Sequence, residues 1–492
     1  MAENFITEEN GKGGLLLVKY TGAETTVTVP NGITEIGVKA FYQCKTIMRV
    51  VLPNSVTSIG SNAFSHCSAL REINLPTSVA TIGKGAFYGC SSLTQINIPD
   101  SVTEVGNLAF AGCKSLTQIN IPASVTKIGD STFFGCLSLT KIDIPDSVTS
   151  IGDGTFGNCS SLTQINISDT NKDFKVIDSV LFDYEIKQLI CFPAGLNLKS
   201  YKLPDSVTSI GEGAFNGCSS LQQTDIPSGV AFIGDSAFRD CKALTQINIP
   251  DGVTKIGDSA FWGCSLLAQI DLPDSVTKVG VGAFWNCKAL TKINIPNNLT
   301  EIGDSVFSGC KSLTQINIPD SVTSILTNAF WSCESLTKIN IPDRVTKIGD
   351  CAFVSCESLA QIDIPESVTS IGNSAFSNCT SLTQINIPDS VTSIGFGAFA
   401  NCPNLTIYTP AGSYAEEYAK ENDITYSNGE FSPPAADVVE EVAPPKATSR
   451  RKHPWLAALL LLLLTSAALA ALYFCYNTDI VQSITDYIHS LL

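Results

Sequence analysis

Apolar residues recur along this chain in one order that repeats every 23 residues. In the copy CSSLTQINIPDSVTEVGNLAF, which begins at Cys90, they are Leu93, Ile96, Ile98, Val102, Val105, Ala109 and Phe110. Ile96 and Ile98 alternate with Gln95 and Asn97, the period-two mark of a half-buried strand. Pro99 lacks an N–H and ends that strand in a turn. A second apolar stretch, Val102 to Val105, predicts a shorter strand that closes at Gly106, where a larger side chain would be resisted. The rest of the unit reads as one helical turn. In Asp258-Ser259-Ala260-Phe261-Trp262-Gly263 the aspartate suits an N-cap, and the alanine, the phenylalanine and the following cysteine point inward.

Cysteine keeps the beat. Cys44, Cys67, Cys90, Cys113, Cys136 and Cys159 are evenly spaced, and the rhythm resumes at Cys218 and runs to Cys402. A fixed period of this length means stacked copies of one unit, each covering its neighbour's apolar face. The expected fold is a repeat solenoid, mainly β with short helical turns, and its coils advance by about 4.8 Å. The repeat signature in LTQINIPDSVTSIGFGAFANC, from Leu382 to Cys402, resembles the BspA-like leucine-rich repeat family over residues 30–409. That resemblance implies a leucine-rich-repeat solenoid with a non-catalytic, protein- or surface-binding role, often displayed on cell surfaces.

The solenoid is expected over residues 30–411, with an N-terminal cap in 1–29. Cys159 and Cys218 lie 59 residues apart, 13 more than two periods. Strand-like alternation in FKVIDSVLFDYEIKQLICFP predicts a β-hairpin budding from the coil within about 169–200, which reads best as a spacer. Residues 412–426 read as a C-terminal cap, where Ser413 and Glu416 form a capping box for a short helix. Residues 427–454, rich in Pro, Ala and Glu, read as a flexible linker. Residues 455–476 (WLAALLLLLLTSAALAALYFCY) carry no charge and are long enough for a separate transmembrane helix, with Trp455 and Tyr476 as interfacial aromatics. A short amphipathic tail, 477–492, follows.

Arg450, Arg451 and Lys452 precede that span, and no Lys or Arg follows it. The positive-inside rule therefore predicts a single-pass, tail-anchored protein with its solenoid on the cytoplasmic side. The N-terminal MAENFITEEN has no signal-peptide character. The family resemblance implies the cell surface instead.

Charge and chemistry narrow the function. With a net charge of −16 the chain repels nucleic acid and anionic headgroups. Eighteen cysteines suggest disulfides or metal sites, yet a single inward column offers no tetrahedral cluster and reads as unpaired thiols filling small apolar positions. Cys351, off the column, is the candidate reactive thiol; a drifted serine explains it equally. Aspartates recur after the proline (Asp100, Asp146, Asp251) and at the cap (Asp130, Asp153, Asp235, Asp258, Asp304, Asp350). Turn and cap roles account for them without calcium. No catalytic set or phosphate loop appears, and no metal or cofactor is expected.

Variation concentrates two residues before each cysteine. That column holds Tyr42, Tyr88, Phe134, Trp262, Trp285 and Trp331 among smaller residues such as Ser65 and Ser308. Exposed aromatics are common binding anchors, so these six are the candidate contacts for a protein partner; shielding of the next coil is the competing explanation. The strand face, with its repeated Thr94-Gln95-Asn97 pattern, reads as a polar ladder suited to a repetitive ligand. The expected function is a membrane-tethered scaffold for protein recognition, the alternative a surface adhesin or glycan-binding module.

Overall fold

The computed structural model describes residues 4–431 of the 492. Trp455, Tyr476, the apolar run between them and the tail lie outside the described residues. Among those described, no helix is long and apolar enough to cross a membrane.

Parallel ladders link the coils, and each step advances by one repeat. Gln315–Asn317 pairs with Lys338–Asn340, and Ile316 meets Ile339. The shorter strand does the same, as Lys255–Ile256 pairs with Lys278–Val279. In this register like side chains stack in columns. The buried phenylalanines stack nearly parallel from Phe41 to Phe156 and from Phe215 to Phe399, with adjacent centroids such as Phe238 and Phe261 5.2 Å apart. Gly106 is required by the closeness of the coils: a Cβ there would lie 2.8 Å from the carbonyl carbon of Gly83.

The third side of the coil is not helical, which corrects the expectation. Two backbones per coil are left-handed, one residue and five residues before the cysteine; Asn286 and Gly282 have φ of 58° and 59°. Four-residue spacing of such positions breaks any helix. Alternate N–H groups instead go two ways. Ala283, Trp285 and Cys287 donate within the coil, to Gly280, Gly282 and Phe284 at 3.2, 2.9 and 3.1 Å. Gly282, Phe284 and Asn286 donate to the next coil, to Asp304, Val306 and Ser308 at 2.9, 3.0 and 2.8 Å. The turn segment is thus a third inter-coil ladder, and its buried backbone is satisfied.

Polar columns stitch the coils further. Thr277 Oγ1 donates to the Thr254 carbonyl at 3.3 Å, and Ser275 Oγ to the Val253 carbonyl at 2.7 Å. The aspartates expected as N-caps do a different job. Asp235 Oδ1 accepts the Asp258 N–H at 2.9 Å, and Asp258 Oδ1 accepts the Val281 N–H at 2.9 Å. Each carboxylate reaches one coil onward because no helix starts beside it.

The ends are capped by different devices. Phe5–Glu9 pairs antiparallel with Leu15–Tyr20, whose far edge joins the short-strand ladder. Thr26–Thr28 belongs to the first coil, pairing with Arg49–Val51. At the other end the helix Tyr414–Glu421 has Ser413 as its N-cap, accepting from the Glu416 N–H at 3.2 Å. Glu416 reaches back to the Gly412 N–H at 2.6 Å, one residue beyond the reciprocal partner of a strict capping box. Thr425–Ser427 closes the long-strand sheet.

The insert does not bud. Phe174–Ile177, Val180–Asp183 and Gln188–Cys191 form an antiparallel meander, with a tight turn at Asp178 and Ser179. Its last strand enters the parallel ladder beside Ser209–Ile210. Leu181 and Cys191 pack into the core of the first block, whereas Val180, Phe182 and Leu189 pack into that of the second. A strand buried on both faces divides the interior in two, so the insert is a structural joint and not a spacer.

Each mid-stack phenylalanine is wedged between two others, so its loss removes contacts in both neighbouring coils. Phe284→Ala, at a fully buried site, is expected to cost about 3–5 kcal/mol in urea unfolding, an effect typical of a large core truncation.

Candidate functional site

The six aromatics of the variable column all lie on the outer side of the turn segment, but they form two groups and not one ridge. In the first block, Tyr42 and Tyr88 are exposed and flank His66, whose ring meets theirs edge-on at 6.0 and 5.0 Å. Ser65, between them in the column, is buried. Phe134 is half-buried and covers Gly157, where a Cβ would lie 3.0 Å from its ring. That is the shielding role.

In the second block Trp262 and Trp285 stack face to face, with centroids 4.7 Å apart and planes 6° from parallel. Arg239 lies over the other face of Trp262, its guanidinium carbon 3.6 Å from the ring centroid. Asp240 Oδ2 is 3.8 Å from its Nε. Burial against the ring holds the Arg239 pKa below its usual value while Asp240 opposes the shift. Trp331 stands two coils beyond Trp285, 41% exposed, with the buried Ser308 between them. The ridge expected across Trp262, Trp285 and Trp331 is therefore a continuous guanidinium–indole–indole stack followed by a separate indole.

Two contributors escaped the sequence reading. Leu266, 54% exposed, replaces the serine or alanine that most copies carry two residues after the cysteine. Val281, 51% exposed, replaces the aspartate of the carboxylate column. The signal was their departure from the repeat, in the same two coils as the stacked tryptophans.

The strand face is an open trough lined in the first block by Gln95, Asn97, Gln118, Asn120 and Asp143. Side chains brace each other along it: Gln246 Nε2 donates to Gln223 Oε1 at 3.0 Å, and Asn166 Nδ2 to Asp143 Oδ1 at 2.6 Å. It repeats without a singular pocket.

The cysteines face inward, and they do more than fill space. Each Sγ along the stack lies within hydrogen-bond distance of the phenylalanine carbonyl one coil back, as Cys67 on Phe41 at 3.0 Å and Cys287 on Phe261 at 3.2 Å. Burial pushes the Cys67 and Cys356 thiols up to about 12. Cys351 occupies a left-handed position, φ 55°, and is partly exposed. Its pKa is raised by burial and by the Asp350 carboxylate, so it lacks the lowered pKa of a reactive thiol. Among the described residues no three His, Cys, Asp or Glu groups are placed to share a metal ion.

One carboxylate column is under strain. Glu212, at the joint, is exposed to solvent, yet partial desolvation of its carboxylate and then Asp153, Asp235 and Asp130 raise its pKa.

These repeats match the model of the BspA type leucine rich repeat region over residues 19–138, 80–190, 185–314 and 277–406. The chain belongs to that family. Leucine-rich repeat proteins of known structure resemble it at modest identity. A leucine-rich repeat protein from Eubacterium ventriosum is 26% identical, with a TM-score of 0.49, over 74% of this chain and 90% of that one. One from Bacteroides ovatus is 28% identical, with a TM-score of 0.45, over 86% and 98%. A leucine rich cell surface protein from Faecalibacterium prausnitzii is 27% identical, with a TM-score of 0.43, over 87% and 97%. No curated protein matches the chain.

Two measurements probe this BspA-type interior. Iodoacetamide on the native protein should modify Cys44, Cys351 and Cys402, the partly exposed thiols, well before the buried column; peptide mass spectrometry reads the order. The raised pKa of Glu212 means that the stability it contributes is present in acid, below the ordinary carboxylate range, and is lost as pH rises through the raised value. Glu212→Gln should therefore raise the melting temperature at pH 7 and flatten its fall between acid and neutral pH.

Proposed function

We propose that this chain is a non-catalytic recognition scaffold, held at a membrane by residues 455–476, whose aromatic turn-face column docks a protein partner. The carrying observation is the Arg239–Trp262–Trp285 stack with Trp331 beside it. Interior columns repeat because packing demands it, and the strand face repeats with them. The turn face is where large amphipathic side chains replace serine, glycine and alanine without disturbing the stack. Tryptophan and arginine are the residues that most often carry binding energy at protein interfaces. Tyr42 and Tyr88 form a second, smaller contact area on the same reading, and Phe134 serves it least because it covers its neighbour.

Family membership supports display of the solenoid at a cell surface, and we place that reading first. The cluster Arg450-Arg451-Lys452 ahead of the apolar run favours the cytoplasmic face instead. Protease shaving of intact cells separates the two: surface display predicts loss of the solenoid, and survival until the cells are lysed assigns it to the cytoplasm.

A second mode of recognition has its own observation. The row of amide side chains on the strand face repeats at coil spacing and suits a hydroxyl-rich, repeating glycan. Gln95→Ala with Gln118→Ala would abolish glycan binding and leave protein capture intact.

The docking reading predicts that the full chain in mild detergent captures its protein partner and that the triple alanine variant at Trp262, Trp285 and Trp331 does not. Each true anchor should cost about 2 kcal/mol or more of binding energy. A variant that melts like the wild type and captures the same partner with equal affinity contradicts it.

A further inference from the structure

The charges that flank the tryptophan strip are arranged in two opposite rails. One corner of the turn face carries the carboxylate column, six residues before each cysteine: Asp235, Asp258 and Asp304. The opposite corner, one residue after each cysteine, carries Lys242, Lys288 and Lys311, all exposed. Between the rails run the stacked tryptophans; the exposed Val281 takes the carboxylate place in the coil of Trp285, and the exposed Leu266 follows Ser265, which takes the lysine place in the coil of Trp262. The remaining coils do not keep this pattern. In the first block the lysine-side positions of the coils of Ser65, Tyr88 and Gly157 are Ser68, Ser91 and Ser160, and where a lysine stands there, at Lys45 and Lys114, the carboxylate place holds Val38 and Asn107; toward the C-terminus the lysine places become Glu334 and Glu357.

Symmetry turns this layout into a partner. Rotate a second copy by 180° about an axis running along the stack, so that the two strips face each other. The rails exchange sides: in the two coils that carry both charges, Asp235 of each chain meets Lys242 of the other and Asp304 meets Lys311, while Asp258 faces Ser265 and Lys288 faces Val281. Rotation about an axis across the stack would set carboxylates against carboxylates and lysines against lysines. The strip is therefore self-complementary in the parallel arrangement and self-repelling in the antiparallel one, and like patches meeting across a two-fold axis are the commonest oligomer geometry.

Resting on the aromatic strip as the docking surface, we propose that its partner is a second copy of this chain, bound in parallel through Trp262, Trp285, Leu266 and Val281 and steered by the two rails. The parallel arrangement also brings both copies of residue 431 to the same end of the pair, which is compatible with anchorage in a single membrane. In the free chain the lysine rail is held by exposed ion pairs, Lys311 on Glu334 at 2.6 Å and Lys242 near Asp240 at 3.9 Å, contacts weak enough to be exchanged, and each rail carboxylate accepts the next coil's N–H through one oxygen.

Sedimentation of the full chain in mild detergent tests this, with circular-dichroism melting to confirm that each variant is folded. The wild type should be a dimer in the micromolar range. Trp285→Ser combined with Leu266→Ser should weaken it about tenfold or more. Reversing one rail, by K242E, K288E and K311E, should leave that chain monomeric, and reversing the other, by D235K, D258K and D304K, should do the same. The two reversed chains mixed should pair again. A wild-type chain that stays monomeric through the micromolar range overturns the self-docking and leaves the pull-down of another protein as the judge of the strip itself. A wild-type dimer indifferent to both the strip and rail substitutions also overturns it.

Discussion

Every coil in this protein hands half of its backbone to its neighbour. Two strand ladders do so in the usual way, and the turn segment does so through alternate N–H groups that leave the coil at Gly282, Phe284 and Asn286. With three sides bonded at one spacing, a coil has no freedom to shift along or around the stack. Columns of identical side chains follow from that constraint. So do the stacked phenylalanines, the thiols set against carbonyls one coil back, and the glycines where a Cβ would strike the previous turn. Such an array is stabilised chiefly by nearest-neighbour interfaces, and its interior has no capacity for specificity.

What remains free is a narrow set of outward positions, and they are used unevenly. The strand face keeps one amide pattern throughout. Along the carboxylate column each aspartate does structural work by accepting the next coil's N–H, yet still presents charge to solvent. At Glu212, beside the joint, this repetition becomes costly, because partial desolvation adds to the repulsion from Asp153, Asp235 and Asp130. The stacked tryptophans occupy the two coils between Asp235–Lys242 and Asp304–Lys311, the coils in which both corners are charged. A recognition surface built this way needs no loop insertion; it needs substitutions in columns that packing leaves alone.

Much of this was legible in the residues. Ile96 and Ile98 alternate as strand residues must, and the period fixed the column of Cys90 and the inward facing of Phe110. Other features were hidden for definite reasons. The segment Asp258 to Gly263 makes i to i+3 hydrogen bonds that look helical locally, but its left-handed residues are occupied by serine, asparagine, aspartate and glycine in turn, so no single residue type announces them. The insert looked like a hairpin because its alternation is real; its strand Val180–Asp183 is apolar on both faces because both faces are buried, one against each core block. Leu266 and Val281 went unread because each departs from a different column.

Native-state hydrogen exchange read by mass spectrometry tests the central claim most directly. The amides of Gly282, Phe284 and Asn286 should be protected as strongly as those of the neighbouring strands, since each donates to the next coil. Gly397 and Asn401, in the last coil, have no following coil to accept from them among the described residues and should exchange far faster. Turn-segment amides in the middle of the stack that exchange as fast as Gly397 would contradict a solenoid bonded on three sides.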